Sequence, residues 1–293
     1  MTKERFGLSP TVPERLCTWF SAYAEDFVSR NPASGDMMAL KKDHTRRVSR
    51  TALDIGRRLK LDLRELNLVE VTALLHDIGR FEQYERFRTF SDKISVNHAL
   101  LGVSICRKEN ILHDVDEETA ELILRVISYH NRAAVPADET PSCVFYSRLL
   151  RDSDKLDIWD VVLRSYENPS GIKNASLIHD LPDRLEISSV VIDSIRREAI
   201  VSTGDMRTLN DFKLFHMSWV FDINFRRTFE ILRKRRYLER LRDSLKEKGA
   251  AEDAFLCVSR YCRRRLGGPE CSVKRERGHQ NSGGGLALTL FTP

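Results

Sequence analysis

Apolar residues recur along most of this chain at intervals of three and four residues, which is the period of an amphipathic helix. A clear instance is the segment from Pro13 to Ser29, whose apolar stripe consists of Leu16, Phe20, Tyr23 and Phe27. The sequence has no sustained alternation of apolar and polar residues, the pattern that is typical of a half-buried strand. The pattern therefore predicts an all-α chain.

Breaks rich in Pro, Gly, Ser and Asn divide this pattern into further helices. We predict them over Met38–Lys60, from a cap at Asp62 to His76, from a cap at Ser95 to Lys108, over Glu117–His130, from Pro141 to about Ser165, over Leu185–Ala199 and over Leu209–Lys248. Residues 80–94, which are rich in Arg and aromatic residues, are predicted to form a loop, and residues 168–171 a turn. Gly79 stands where a C′ glycine would end the third helix.

The composition is that of a folded protein. Of the 293 residues, 41% are hydrophobic and 31% are charged, which is too hydrophobic for a disordered chain. The 48 basic and 43 acidic residues leave a formal net charge of +5, an excess too small to predict nucleic-acid binding. No run approaches the roughly 20 apolar residues that span a bilayer, and no apolar segment follows the first residues as in a secretory signal. We therefore expect a cytoplasmic protein with no membrane partner and no specific nucleic-acid binding.

The cysteines do not form a recognisable metal or redox motif. None of the six lies in a C-x-x-C pair, and Cys257 and Cys262 are spaced differently from the common zinc motifs. We interpret the cysteines as reduced side chains that contribute to packing.

The histidines carry more information, because several fall at helix ends or on apolar helix faces. Two acidic residues accompany them, and the set consists of His44, His76, Asp77, His98, His130 and Asp154. Buried imidazoles and carboxylates are costly unless they are paired or bind a metal ion. Each of these residues alone is more typical of an ordinary core or surface position. Together, on successive helices, they can converge inside a helical bundle and hold metal.

These residues lie in motifs that resemble those of a known family. The sequence His-Asp-Ile-Gly-Arg at 76–80 resembles the signature doublet of the HD-domain superfamily of metal-dependent phosphohydrolases. Further motifs match in order: Asp-His-Thr-Arg-Arg-Val at 43–48, Asn-His-Ala-Leu-Leu-Gly at 97–102, Tyr-His-Asn at 129–131 and Asp-Ser-Asp-Lys-Leu-Asp at 152–157. The resemblance covers about Met38–Asp160 and implies a helical bundle of the HD-domain type.

The resemblance also implies two metal sites. The first metal ion would be held by His44, His76, Asp77 and Asp154, and Asp77 would bridge to a second ion held by His98 and His130. Asp154 is preferred to Asp152 because it directly precedes Lys-Leu in the matching motif. Imidazole and carboxylate ligands suit divalent Mn, Fe, Ni, Co or Zn rather than Ca.

Two such ions activate a bridging water and bind a phosphoryl oxygen. The resemblance therefore implies hydrolysis of a small phosphate ester or nucleotide through a metal-bridging hydroxide, with Asp77 at the centre of the catalytic site. Arg80 and Lys155 follow metal ligands in the sequence and are predicted to bind the substrate phosphate. Two alternatives stay open, namely that Arg80 pairs with an acid of the loop and that Lys155 extends out of its helix.

A second function is compatible with the same ligands. Some HD-fold proteins with this six-ligand pattern hold mixed-valent di-iron and cleave a C–C or C–P bond with oxygen. A regulatory module without catalysis is disfavoured, because every ligand position of the pattern is filled in this sequence.

The resemblance and the pattern of helices together predict the domain organisation. We divide the chain into an N-terminal helix packing on the bundle (residues 1–35), an HD domain (36–166), a C-terminal helical extension (167–248) and a disordered tail (249–293). The tail is predicted from two Gly clusters and from the lack of apolar periodicity after Leu266.

Overall fold

The computed structural model describes residues 6–30, 35–167 and 181–267. Within these residues the regular elements are α-helices and short 3₁₀ helices, without a strand, so the predicted all-α fold is confirmed. The first helices are α1 (Thr11–Arg30), α2 (Gly35–Arg58), α3 (Leu63–Leu75), α4 (Gly79–Phe87), α5 (His98–Lys108), α6 (Glu117–Tyr129) and α7 (Pro141–Glu167). They are followed by α8 (Ser189–Arg196), α9 (Leu209–Ser218), α10 (Arg226–Lys234), α11 (Tyr237–Ser244) and α12 (Gly249–Gly267).

The chain divides into two compact units. The first ends at Asp154 and the second begins at Lys155. This division falls inside α7, whereas we placed the end of the HD domain at residue 166, and the domain bounds stay a prediction. None of the helices in the described ranges is both long enough and apolar enough to cross a membrane.

In the first unit, α3 is a deeply buried helix. Its apolar residues lie on all sides rather than on one stripe, and Leu68, Val71 and Leu75 are each at most 1% exposed. Such a helix suits the centre of a bundle. The predicted cap is confirmed, because Asp62 accepts from the backbone N–H of Glu65 while the Glu65 side chain accepts from the N–H of Asp62.

The segment after α3 differs from the loop that we predicted for residues 80–94. Its first part forms α4, which buries Phe81 against Phe20, Tyr23 and Phe27 of α1. An i,i+4 ion pair between Glu82 and Arg86 lies on the exposed face. The prediction was wrong because this short amphipathic helix was hidden by its high content of Arg and aromatic residues.

Two predicted helix boundaries near the histidines are also corrected. Helix α5 is capped by Asn97, which accepts from the N–H groups of Ala99 and Leu100, whereas Ser95 donates to the carbonyl of Ser91. Gly79 does not end α3 in a left-handed conformation, since no described glycine has a positive φ. It begins α4, where the chain crosses α5 very closely. A Cβ at Gly79 would lie 2.1 Å from the carbonyl oxygen of His98.

In the second unit, the predicted helix over Leu209–Lys248 is broken. It consists of α9, a 3₁₀ turn at Trp219–Asp222, α10 and α11, and Arg236 between α10 and α11 adopts a left-handed conformation with φ of 54°. The indole N–H of Trp159 donates to the carbonyl of His216 at 2.9 Å. Chain reversals at these breaks let the short helices surround one aromatic core, which a single long helix would not allow.

The predicted disordered tail is wrong for its first part. Residues Gly249–Gly267 form α12, which buries Ala251, Ala254, Val258 and Cys262. These positions follow the helical period, but small side chains made the stripe inconspicuous in the sequence. Residues 268–293 and the predicted turn at 168–171 lie outside the described residues.

Candidate metal centre

The structure brings all six predicted metal ligands together inside the first unit. His44 lies on α2, His76 and Asp77 lie between α3 and α4, His98 begins α5, His130 follows α6, and Asp154 lies on α7. Each is at most 3% exposed. Five helices of one bundle therefore present these side chains to a common interior point.

The two carboxylate oxygens of Asp77 face different histidine pairs. Oδ2 lies 3.4 Å from Nε2 of His44 and 3.8 Å from Nε2 of His76. Oδ1 lies 3.2 Å from Nε2 of His98 and 3.6 Å from Nε2 of His130. The result is two triads that share Asp77 and whose ligand atoms lie within 4.8 Å of one another.

Asp154 lies beside the triad of His44, His76 and Asp77. Its Oδ1 lies 3.2 Å from Nε2 of His44 and 3.9 Å from Nε2 of His76. Burial alone would raise the pKa of Asp154, but the hydrogen bond and charge of His44 hold this pKa well below its usual range. The carboxylate is therefore ionised, as a metal ligand must be.

Neighbouring acceptors fix the tautomers of three histidines. Nδ1 of His76 donates to the carbonyl of Ala73, and Nδ1 of His130 donates to the carbonyl of Ile127, each at 2.7 Å. Nδ1 of His98 donates to a carboxylate, at 2.7 Å from Oδ2 of Asp92. A carbonyl or carboxylate can only accept, so a proton lies on Nδ1 and the second ring nitrogen, Nε2, faces Asp77, where it has a free lone pair whenever the ring is neutral.

This arrangement fits a bound cation. The Nε2 atoms of His98 and His130 are 2.9 Å apart with their lone pairs facing each other. Protonation of one ring would relieve the contact, but burial lowers the pKa of His98. Within the described residues, Nε2 of His76, Oδ1 of Asp77 and Oδ1 of Asp154 are buried without a hydrogen bond. Buried acceptors that converge without a donor are the ligand arrangement of a metal site.

The sequence did not point to Lys41, which contacts the shared carboxylate. Its Nζ lies 3.1 Å from Oδ2 of Asp77 and 5.3 Å from the ring centre of Phe90. Burial lowers the pKa of Lys41 to about 8, against the opposing effect of the charge on Asp77. Burial would raise the pKa of Asp77, but the positive charge of Lys41 lowers it well below its usual range. Lys41 lies one helical turn before His44, and this spacing was the available signal.

Asp92 was also missed. It accepts hydrogen bonds from Arg80, Gln83, His98 and Asn131. Burial would raise the pKa of Asp92, but its hydrogen bond from His98 lowers this pKa strongly. Asp92 is the only acidic residue between positions 88 and 97, which is the signal that could have found it.

The two predicted phosphate-binding residues have protein partners. Nη1 of Arg80 donates to Gln83 at 2.9 Å and to Asp92 at 3.1 Å, and it also contacts the carbonyl of Phe90. This is the pairing with a loop acid that the sequence left open. In the second unit, Nζ of Lys155 donates to Asp222 at 2.7 Å and is buried rather than extended into solvent. The binding of substrate phosphate by Arg80 and Lys155 stays a prediction.

Comparison with known proteins supports the assignment of the family. Residues 42–185 match the family model of the HD domain. No curated protein and no solved structure matches the chain. HD domains are typical of metal-dependent hydrolases, and the matched segment contains every residue of the two triads. The match assigns residues 42–185 to the HD-domain family.

Proposed function

We propose that this chain is a metal-dependent phosphohydrolase or phosphodiesterase that holds two divalent transition-metal ions. The observation that carries the proposal is the position of Asp77, whose Oδ1 and Oδ2 face separate histidine pairs. A carboxylate that offers one oxygen to each of two sites is suited to bridging two cations. Two cations bound in this way supply Lewis-acid activation of water and of a phosphoryl oxygen.

The ligand set supports transition metals of the divalent series. His44, His76 and Asp154 would hold the first ion together with Asp77, and His98 and His130 would hold the second ion. Mixed imidazole and carboxylate ligands suit Mn, Fe, Ni, Co or Zn. Two nitrogen atoms bound to one ion at about 2.1 Å lie no more than about 4.2 Å apart, and the Nε2 atoms of His98 and His130 are 2.9 Å apart.

The protein groups hold this arrangement before substrate arrives. Lys41 favours the ionised form of Asp77, and the carbonyls of Ala73 and Ile127 hold protons on Nδ1 of the neighbouring imidazoles. Because the ligands are buried, bulk water is kept away and electrostatic interactions at the site are strong. We propose water as the nucleophile and a small phosphorylated compound, such as a nucleotide, as the substrate.

The iron oxygenase function uses the same ligands, so the first experiment must separate the two. Protein would be purified with and without air, and its metal content and electron paramagnetic resonance (EPR) spectrum measured. We expect two Mn, Ni, Co, Zn or Fe(II) ions per chain and hydrolysis of p-nitrophenyl phosphate, bis(p-nitrophenyl) phosphate or nucleotides. A coupled Fe(II)/Fe(III) signal without hydrolysis of any of these esters would contradict the proposal and favour the oxygenase.

Variants at the centre connect activity with metal. His76→Ala and Asp77→Ala should each lose hydrolysis together with bound metal. His113→Ala is the matched control, because His113 is an exposed histidine of the same unit that bonds to the carbonyl of Asn110. It should keep both metal and activity. Full hydrolysis by metal-free Asp77→Ala would refute the proposal.

A further inference from the structure

One carboxylate beside the second triad accepts hydrogen bonds from four side chains. Asp92 lies between α4 and α5, and its side chain is 5% exposed. Oδ1 accepts from Gln83 at 2.8 Å and from Arg80 at 3.1 Å, and Oδ2 accepts from Asn131 at 3.0 Å. His98 donates to the same carboxylate, with its Nδ1 at 2.9 Å from Oδ1 and 2.7 Å from Oδ2.

His98 differs from His76 and His130 in what orients its imidazole. His76 and His130 donate to carbonyls three residues earlier, so their orientation is set by the backbone of their own helical turns. The orientation of His98 depends instead on a side chain in the preceding loop. Among these three histidines, substitution of that side chain removes the acceptor of His98 only, because the acceptors of His76 and His130 are backbone carbonyls.

Asp92 also holds Asn131, the residue that follows His130 of the second triad. Asn131 follows His130 directly, and its Nδ2 donates to Asp92 and, at 3.1 Å, to Oδ1 of Asn97. Asn97 in turn caps α5, where His98 is the first residue. Asp92 thus connects α4, the start of α5 and the end of α6 around the second triad.

We propose that Asp92 is the positioning residue of the second metal site, which it controls separately from the first. It holds the proton of His98 on Nδ1 and keeps Nε2 directed at Asp77 Oδ1. Arg80 and Gln83 hold Asp92 in turn, and Nε of Arg80 also lies 3.5 Å from Oδ1 of Asp77, so Arg80 acts through these two carboxylates and not on the substrate. The inference rests on the proposed dinuclear site.

Replacement of Asp92 by Asn tests the tautomer directly. An amide can donate to Nδ1 of His98, which moves the imidazole proton to Nε2 and blocks the lone pair that a metal ion needs. Loss of a carboxylate that orients a ligating histidine typically weakens metal binding about 10- to 100-fold. The first site has no contact with Asp92 among the described hydrogen bonds and should be unaffected.

The experiment is a titration of metal-free protein with Mn²⁺, followed by EPR spectroscopy. Wild type should show an exchange-coupled spectrum once two ions are bound. In Asp92→Asn, the first ion should bind as in wild type, the second about 10- to 100-fold more weakly, and an isolated six-line Mn²⁺ spectrum should replace the coupled one. Asp114→Asn is the control, because Asp114 is an acid of the same unit that pairs with Arg15 near the surface. It should titrate like wild type.

A second variant covers the case in which Asp92→Asn does not fold. Gln83→Ala removes one uncharged donor from Asp92 and leaves the other three, so the second ion should bind more weakly than in wild type but more tightly than in Asp92→Asn. Second-ion affinity within twofold of wild type in the folded variants would overturn the role of Asp92. A wild-type protein that takes up a single Mn²⁺ would instead refute the dinuclear site itself.

Discussion

The ammonium nitrogen of Lys41 lies 3.1 Å from Oδ2 of Asp77, and both side chains are at most 1% exposed. Oδ2 is also the oxygen that faces His44 and His76, so a lysine already provides positive charge beside the first triad. A buried carboxylate without a cation is strongly destabilising. Lys41 therefore supports Asp77 in the metal-free protein, and its charge opposes a metal ion that binds to the same oxygen.

Lys41→Met should change the stability of the metal-free and metal-loaded forms unequally. Without metal, the loss of the ammonium leaves Asp77 uncompensated and should lower the free energy of unfolding by about 3–5 kcal/mol. With Mn²⁺ the loss of unfolding free energy should be smaller. The metal ion then neutralises Asp77, and the variant lacks the ammonium group of Lys41 that repels the metal ion. Urea denaturation with EDTA and with Mn²⁺ measures both values.

Lys42→Met is the matched control for this experiment. Lys42 is the next residue of α2 and pairs with Glu25, whose side chain is 61% exposed. An exposed ion pair contributes at most about 1 kcal/mol, so this variant should be near wild type with or without metal. Equal destabilisation of Lys41→Met in both conditions would mean that its charge does not act on the metal site.

Arg80→Ala distinguishes substrate binding from positioning. Because the guanidinium group is buried and bonded to Gln83, Asp92 and Phe90, we expect the KM for a phosphate ester to stay within about twofold of wild type at saturating Mn²⁺. The variant should instead need a higher Mn²⁺ concentration than wild type to reach full activity. A KM raised tenfold or more at full metal occupancy, which is the loss of about 1.4 kcal/mol of binding, would return Arg80 to the role of a phosphate ligand.

The sequence was sufficient to predict that the candidate ligands converge, and insufficient to predict the residues that hold them in place. His44, His76 and His130 lie in ordered motifs on helices with a clear period, so their convergence could be predicted from spacing. Lys41 and Asp92 belong to no motif. Their contacts with Asp77 and His98 depend on how helices cross and on the path of one loop, which local periodicity does not determine.

The incorrect predictions have a related cause. Helix α4 and helix α12 were missed because their buried stripes contain aromatic residues among arginines in the first and mostly small residues in the second. The helix predicted over Leu209–Lys248 is broken at positions where Trp219 and Tyr237 pack against Trp159. Tertiary packing overrides local propensity at such positions.

Asp154 and Asp152 provide a direct test of the ligand chosen on α7. Oδ1 of Asp154 lies 3.2 Å from Nε2 of His44 and 3.9 Å from Nε2 of His76 in the first triad. Asp154→Asn should lower the affinity for the first metal ion by at least about tenfold, because a charged ligand becomes neutral. Asp152→Asn should keep two ions per chain, as measured by elemental analysis of folded protein. The reverse result would assign the metal ligand to Asp152.

Gly79→Ala should disrupt the crossing of α4 and α5. The added Cβ would lie 2.1 Å from the carbonyl oxygen of His98 and 2.7 Å from the amide nitrogen of Gly102, and both are backbone atoms. The helices must separate, so we expect a loss of roughly 3 kcal/mol of stability or more and weaker binding of the second metal ion. Gly35→Ala is the control, because its Cβ would meet Val28 at 3.6 Å, an ordinary contact. Denaturation midpoints measure the effect, and equal stability of both variants would contradict the close approach.

Removal of metal should lower the thermal stability of the first unit, and this effect should require Asp77. A metal ion at 100 times its dissociation constant stabilises the folded state by about 2.7 kcal/mol per site. Wild type should therefore show a melting temperature that rises with free Mn²⁺ and falls with EDTA. Asp77→Ala should show no such dependence, because both triads lose their shared ligand, whereas His130→Ala should keep the part that belongs to the first site. His113→Ala should behave as wild type, and a metal-dependent shift of full size in Asp77→Ala would show that the stabilising ions bind elsewhere.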